Sequence, residues 1–290
     1  MNRLMMLLLG IFLLQALPPN ARAEDQATVW YKEAIRPGTT ATEKIRLLEK
    51  SVSARPQFAN FFELGKAYAD ADIPPKAEAA FDSAAIHADP SEKIRLFRIR
   101  ARYHQKLQHP DEAAQWFKTA LTLARREKQS DVVAAIEKEL LPLEEKNGVG
   151  VVSTGRLVDG LQKGLARTKA LAVLEVVPDI DIRVNFEYNS ANLTADGQRQ
   201  AKELALALSA PEFSSLTFRL VGHTDLRGTA EYNQELSNRR AEAVATYILQ
   251  HSGMASKRIE PMGKGKTDPL YSDDNEKSHA LNRRVGVGIK

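Results

Sequence analysis

Two stretches of this chain repeat one another, and the repeat leaves few folds open. In FANFFELGKAYADADIPPKAEAAFDSAAIHADP the small and aromatic positions are Phe61, Gly65, Ala77, Phe81 and Ala84. Thirty-six residues further on stand Phe97, Ala101, Ala113, Phe117 and Ala120, matching in size class position by position. A helix–turn–helix unit needs small residues where its helices cross and an aromatic side chain to fill the gap beside them. Such a unit cannot bury its apolar face alone, so units must stack. Residues 24–146 are therefore expected to be helical throughout. A degenerate earlier unit is expected before Pro56, with IRLLEKSVSARP as its second helix.

These spacings resemble tetratricopeptide repeats, whose usual period is about 34 residues. The resemblance covers roughly residues 27–128, with the extra length placed in the loop around Asp89-Pro90. It departs from the pattern at Arg100 and His104, where the better repeat has Leu64 and Tyr68. What it implies is a concave surface that recruits a partner protein; a helical spacer that binds nothing is the alternative. The run KIRLFRIRARYHQK (93–106) carries Lys93, Arg95, Arg98, Arg100, Arg102 and Lys106. It reads either as a patch for an acidic partner or, more commonly, as a solvated helix face.

The opening MNRLMMLLLGIFLLQALPPNARA has the parts of a secretory signal. Arg3 gives a basic start, Leu4 to Leu17 an apolar core, Pro18-Pro19 a break, and Ala21-Arg22-Ala23 a small-x-small cleavage site. The core is shorter than the ~20 residues of a membrane-spanning helix. Without residues 1–23, 39 basic residues face 37 acidic ones, so the formal charge falls from +4 to +2. That balance gives no ground for nucleic-acid binding. The chain has no cysteine, which excludes disulfides, thiol chemistry and a lipid-modified cysteine after the apolar core. With 43% apolar and 27% charged residues, one to three soluble domains are expected from residue 24 onward. No other segment is apolar enough to cross a membrane as a helix, and the mature chain is expected in the periplasm.

Residues 147–177 are rich in glycine (Gly148, Gly150, Gly155, Gly160, Gly164) and read as a linker, although Leu157, Leu161 and Leu165 have the spacing of a short helix. From 178 the period changes. DIRVNFEY alternates Ile182, Val184, Phe186 and Tyr188, and SLTFRLV alternates Leu216, Phe218 and Leu220, as strands do. TADGQRQAKELALALS carries a helical stripe, and AEYNQELSNRRAEAVATYILQHSG reads as a long helix closed by Gly253. RIEPMGKG and RRVGVGIK are read as two further strands, with SDDNEKSH (272–279) as a loop between them. A mixed sheet in βαβαββ order, with helices on one face, is the expected α+β architecture.

The long helix contains an anomaly. With Leu236 at zero and about 100° per residue, Tyr247, Arg240, Asn233 and Val244 fall at roughly 20°, 40°, 60° and 80°. Arg240 therefore sits on the face that should be buried, with Asn233 beside it. A guanidinium taken out of water needs a partner, supplied either by the protein or by a ligand. A structural bridge to Asp225 is the simplest internal solution.

FEYNSANL, GHTD, YNQELSNRRAEAV and ALNRRV, in this order and spacing, resemble the OmpA-like C-terminal domain across about residues 180–290. The resemblance implies non-covalent binding of peptidoglycan through the diaminopimelate of its stem peptide. It implies that Asp225 holds the ligand's ammonium, that Arg240 holds its carboxylate, and that Asn233, Thr224 and Arg284 belong to the same site. The residues agree in part. Asp225 follows a strand's carboxyl end, where ligands gather in such sheets. An aspartate with an arginine fork can read an amino-acid head group. Lys266 stands where the family often has an acid. His223 is read as a structural hydrogen-bonding residue rather than a catalytic one or a metal ligand.

The expected organisation is a signal peptide (1–23), an all-α tetratricopeptide-like repeat domain (24–146), a linker (147–177) and an α+β OmpA-like domain (178–290). The expected function is that of a non-enzymatic wall tether of a diderm bacterium, without cofactor or metal. Its repeats would recruit an envelope protein, through which any link to the outer membrane would run. Two rivals are an envelope scaffold whose pocket binds no peptidoglycan and an enzyme acting on the cell wall.

Overall fold

The computed structural model describes residues 19–147, 151–170, 180–187 and 189–290. Most of the expected signal peptide, and Tyr188, lie outside these residues. Backbone contacts divide the chain into two compact units that meet at Tyr103–His104.

The first unit is helical, as expected. It comprises α1 (Pro19–Ala34), α2 (Ala41–Ala54), α3 (Phe58–Asp70), α4 (Pro74–His87) and most of α5 (Pro90–Lys106). Nine of the ten repeat positions, counted over both units, are buried. The exception is Phe61, which is half buried and stacks on His87. Its neighbour Phe62 fills the interior instead; both rings lie one turn from Gly65, and the crossing of α3 and α4 selects Phe62. At Gly65 a Cβ would overlap the ring of Phe81, so glycine there sets how closely α3 and α4 cross. Arg100, at an apolar position of the better repeat, is buried and pairs with Glu78 and Asp82 of α4. One of the six cations of the basic run is thus internal and compensated.

The second unit begins with α6 (Pro110–Arg126) and α7 (Ser130–Asn147), which pack on each other. The segment read as a linker contains instead the 17-residue helix α8 (Thr154–Ala170). Leu157 and Leu161 belong to the core of the sheet domain. The backbone N–H and hydroxyl of Thr154 both donate to Glu203, each at 2.6 Å. Leucines at i and i+4 with a wet opposite face outweigh the propensity cost of the glycines.

The sheet domain then runs β1 (Ile180–Ile182), α9 (Ala195–Leu208), β2 (Phe218–Gly222), α10 (Ala230–Ser252), β3 (Ile259–Gly263), α11 (Glu276–Asn282) and β4 (Val285–Ile289). The sheet is mixed, in the order β1-β4-β2-β3. Strand β4 is antiparallel to both neighbours, and β2 and β3 are parallel. Phe218, Leu220, Val285 and Val287 alternate onto the face that meets Leu204, Leu208, Val244 and Ile248 of α9 and α10. Both long helices start on a threonine cap, Thr194 accepting from the N–H of Gly197 and Thr229 from that of Tyr232. Gly253 ends α10 in the left-handed conformation, φ +64°.

Two elements differ from expectation. The strand read over 181–188 stops at Ile182, and Phe186 keeps only an isolated bridge to Leu193. There the carbonyl of Asn185 turns to accept from the N–H and hydroxyl of Thr194. The loop read at 272–279 is partly helix, since Asn275 accepts from the N–H of Ser278 and opens α11. No helix among the described residues is long and apolar enough to cross a membrane.

Candidate ligand-binding pocket

Strand β2 delivers His223, Thr224 and Asp225 from its carboxyl end, and α10 starts a few residues later. Asn233 shapes the turn between them. Its side-chain amide donates to the carbonyls of Arg227 (2.7 Å) and Thr229 (3.0 Å). Gly228 takes φ +85° in that turn, a conformation costly for a residue with a Cβ. Beside the turn opens a pocket of about 850 Å³ whose wall includes Thr224, Asp225, Asn233, Arg240, Glu276 and Arg283.

Asp225 stands in a closed ring of charges. Its Oδ2 accepts from Arg227 (2.7 Å) and Arg283 (2.8 Å), and its Oδ1 from the backbone N–H of Arg227 (3.1 Å). Glu276, on the far side, accepts from the same two arginines, each at 3.1 Å. Burial raises the Asp225 pKa, but the hydrogen bonds from Arg227 and Arg283 outweigh it and hold the group at about 2. A carboxylate depressed in the folded state stabilises the fold above its unfolded value of ~3.9. That contribution is lost as pH falls through about 2. Urea titrations between pH 5 and pH 2 are therefore expected to show an acid-limb loss of stability that is smaller in Asp225→Asn; equal limbs would mean that the ring does not stabilise the fold.

Arg240 is different. It is buried, 7% exposed, and no carboxylate among the described residues forms an ion pair with it. Its Nε donates to the carbonyl of Ser190 at 3.1 Å, and the guanidinium lies 4.9 Å from the centre of the Phe186 ring. Burial lowers its pKa, and the nearby Arg283 lowers it further. The structural bridge to Asp225, the alternative to completion by a ligand, does not form.

Residues 185–283 match the sequence profile of the OmpA family. They form an OmpA family domain. The chain is 39% identical over 102 residues to the peptidoglycan-associated lipoprotein of Pseudomonas aeruginosa, covering 34% of this chain and 57% of that protein. It is 36% identical over 105 residues to the outer-membrane lipoprotein YfiB of the same organism, covering 36% of this chain and 61% of that one. It therefore spans less than two thirds of either relative. Among solved structures, the peptidoglycan-associated lipoprotein of Burkholderia pseudomallei is 30% identical and aligns over 37% of this chain and 88% of its own, with a TM-score of 0.34.

Within the OmpA family domain, four of the five residues expected at the site, Asp225, Arg240, Asn233 and Thr224, line one pocket. The fifth, Arg284, does not. It is buried and turns away, its Nε donating to Asp181 at 2.7 Å. The adjacent Arg283 reaches the pocket instead. The reason is strand periodicity: neighbouring side chains on an extended segment point to opposite sides, and Val285 is fixed in the core. Arg227, Glu276 and Phe186 also line the pocket and were not singled out in the sequence. Arg227 carried a signal, being the basic residue two positions after Asp225. Glu276 carried none, since its role depends on an unforeseen helix. His223 is buried; burial, then the charge of Arg284, push its pKa down to about 3. Its Nδ1 finds no hydrogen-bond partner among the described residues, so the side-chain hydrogen bond expected of it is not made there. The backbone N–H of His223 donates to the carbonyl of Arg284 at 2.9 Å.

Proposed function

We propose that this protein is a non-enzymatic periplasmic tether that binds peptidoglycan non-covalently through the diaminopimelate of the stem peptide. The observation that carries the reading is Arg240: a buried cation with no carboxylate partner among the described residues, on the wall of an open pocket. A carboxylate on the ligand completes it, and the planar fork favours a bidentate contact. Asp225 takes the ligand's ammonium. Because Arg227 and Arg283 already hold Asp225, the ammonium enters by exchange, and Arg227, whose side chain is 55% exposed, is the one that leaves. The named relatives support the wall as the target, since one is called peptidoglycan-associated. The helical repeats of the amino-terminal region recruit an envelope protein, and any tie to the outer membrane runs through that partner.

The test is co-sedimentation of the mature chain with purified sacculi. Wild type is expected in the pellet, and Asp225→Ala or free diaminopimelate is expected to move it to the supernatant. Folded wild type that stays in the supernatant would make the pocket structural and the protein an envelope scaffold.

A further inference from the structure

We infer that helices α6 and α7, which precede the OmpA family domain, are positioning parts of its pocket, acting through residues 270–284 to seat Arg283 on Asp225. The inference rests on the wall-binding reading above for what the pocket does, and on geometry for how it is held.

Two sets of contacts make the connection. In the first, Glu137 of α7 accepts from the N–H of Ser272 (3.3 Å) and from its hydroxyl (2.9 Å). Arg125 of α6 donates to Glu137 (2.7 Å) and to the carbonyl of Leu270 (3.0 Å). Residues 270 and 272 are thus held from outside the domain, on either side of Tyr271. Tyr271 in turn makes a reciprocal pair with Asn282, backbone N–H to Oδ1 and side-chain amide to carbonyl, each at 2.9 Å. Asn282 is fully buried, and the next residue is Arg283.

In the second set, Lys118 of α6 is largely enclosed between Glu144 (2.8 Å) and Asp181 (3.0 Å). Asp181 also accepts from Arg284 at 2.7 Å. Burial opposes both charges, yet Arg284 and Lys118 keep Asp181 well below its ordinary pKa. A buried arginine with a fixed partner cannot reorient cheaply. With Arg284 locked on one side of the chain, Arg283 is committed to the other, toward Asp225 and Glu276. The two sets therefore grip the residues flanking Arg283 from both directions.

A merely stabilising role for these helices would lower the melting temperature and leave the folded pocket unchanged. A positioning role changes the pocket in protein that remains folded. The experiment uses the full mature chain with Glu137→Ala, Lys118→Met and the conservative Lys118→Arg. Sacculus affinity is measured together with amide hydrogen exchange, with circular dichroism to confirm folding. Glu137→Ala and Lys118→Met are expected to bind about tenfold more weakly, the usual reach of a coupling carried by packed contacts. Both should exchange faster across 270–284 while α10 keeps its protection, and Lys118→Arg should restore both readouts. If Lys118→Met fails to fold, Glu137→Ala carries the test alone. Unchanged affinity in a folded variant, or weakened affinity without faster exchange at 270–284, would overturn the inference. If wild type itself ignores sacculi, the wall-binding reading has failed and exchange alone decides: faster exchange at 270–284 supports the positioning, and unchanged exchange sinks it.

Discussion

Arg240→Met is expected to abolish co-sedimentation with sacculi while leaving the protein at least as stable as wild type. The two halves have one cause. In the folded chain the guanidinium is buried and, among the described residues, its partners are the Ser190 carbonyl and the Phe186 ring. Its desolvation is incompletely offset, and a methionine of similar length avoids that cost. Replacing buried charge by well-packed apolar groups is commonly neutral or stabilising by about 1 kcal/mol or more. The same group is the proposed carboxylate fork of the pocket, and methionine cannot donate. Urea unfolding beside sacculus binding checks both halves. A variant that loses about 2 kcal/mol of stability would show that Arg240 is a structural residue. Retained binding with unchanged stability would remove it from the site. A functional residue that weakens its own fold is a common compromise.

Gly222→Ala is expected to cost the second unit about 3 kcal/mol, since overpacking against rigid backbone lies at the severe end of its range. A Cβ on Gly222 would collide with the carbonyl of Ser237, and one on Gly263 with Ser237 and Asn238. These glycines end the paired strands β2 and β3, and α10 lies directly across them. The contact is polar as well as close. Asn238 accepts from the N–H of Gly263 (2.6 Å), and the Ser237 hydroxyl accepts from that of Gly265 (2.8 Å). A collision with backbone cannot be relieved by a rotamer change, so α10 must move. It carries Asn233 and Arg240, so the pocket should loosen with the fold. A melting temperature lowered by roughly 6–12 °C is the expected reading for a unit of this size. Melting at the wild-type temperature would show that α10 is not seated on these strands.

Much of the fold was legible because its patterns are local. The recurrence of small and aromatic residues announced stacked helices, and period-two runs announced strands. A single angular count placed Arg240 inside α10, where the structure finds it. What escaped depended on tertiary context. Phe61 and Phe62 are equivalent in composition, and only the crossing of α3 and α4 selects Phe62 for the core. Arg283 and Arg284 are adjacent and identical, and only the register of β4 decides which faces the pocket. The glycines of 148–164 suggested a linker, but Leu157 and Leu161 answer to a hydrophobic surface on α9 and the sheet that local propensity does not reveal. Arg227 and Glu276 meet across 49 residues, so no window along the chain could pair them.

The placement of β4 bears on when the molecule can become complete. The latest strand in sequence lies between β1 and β2, and among the described residues β1 pairs with no other strand. In a chain that emerges amino terminus first, the early helices have local partners at hand, whereas the sheet must wait for residues 285–289. Until then β2 and β3 can pair, with one edge of β2 open to strands of other molecules. Contacts this distant in sequence also form slowly. The unit that carries the pocket is therefore the last to close, and its unfinished edge is where the nascent chain is most in need of shielding.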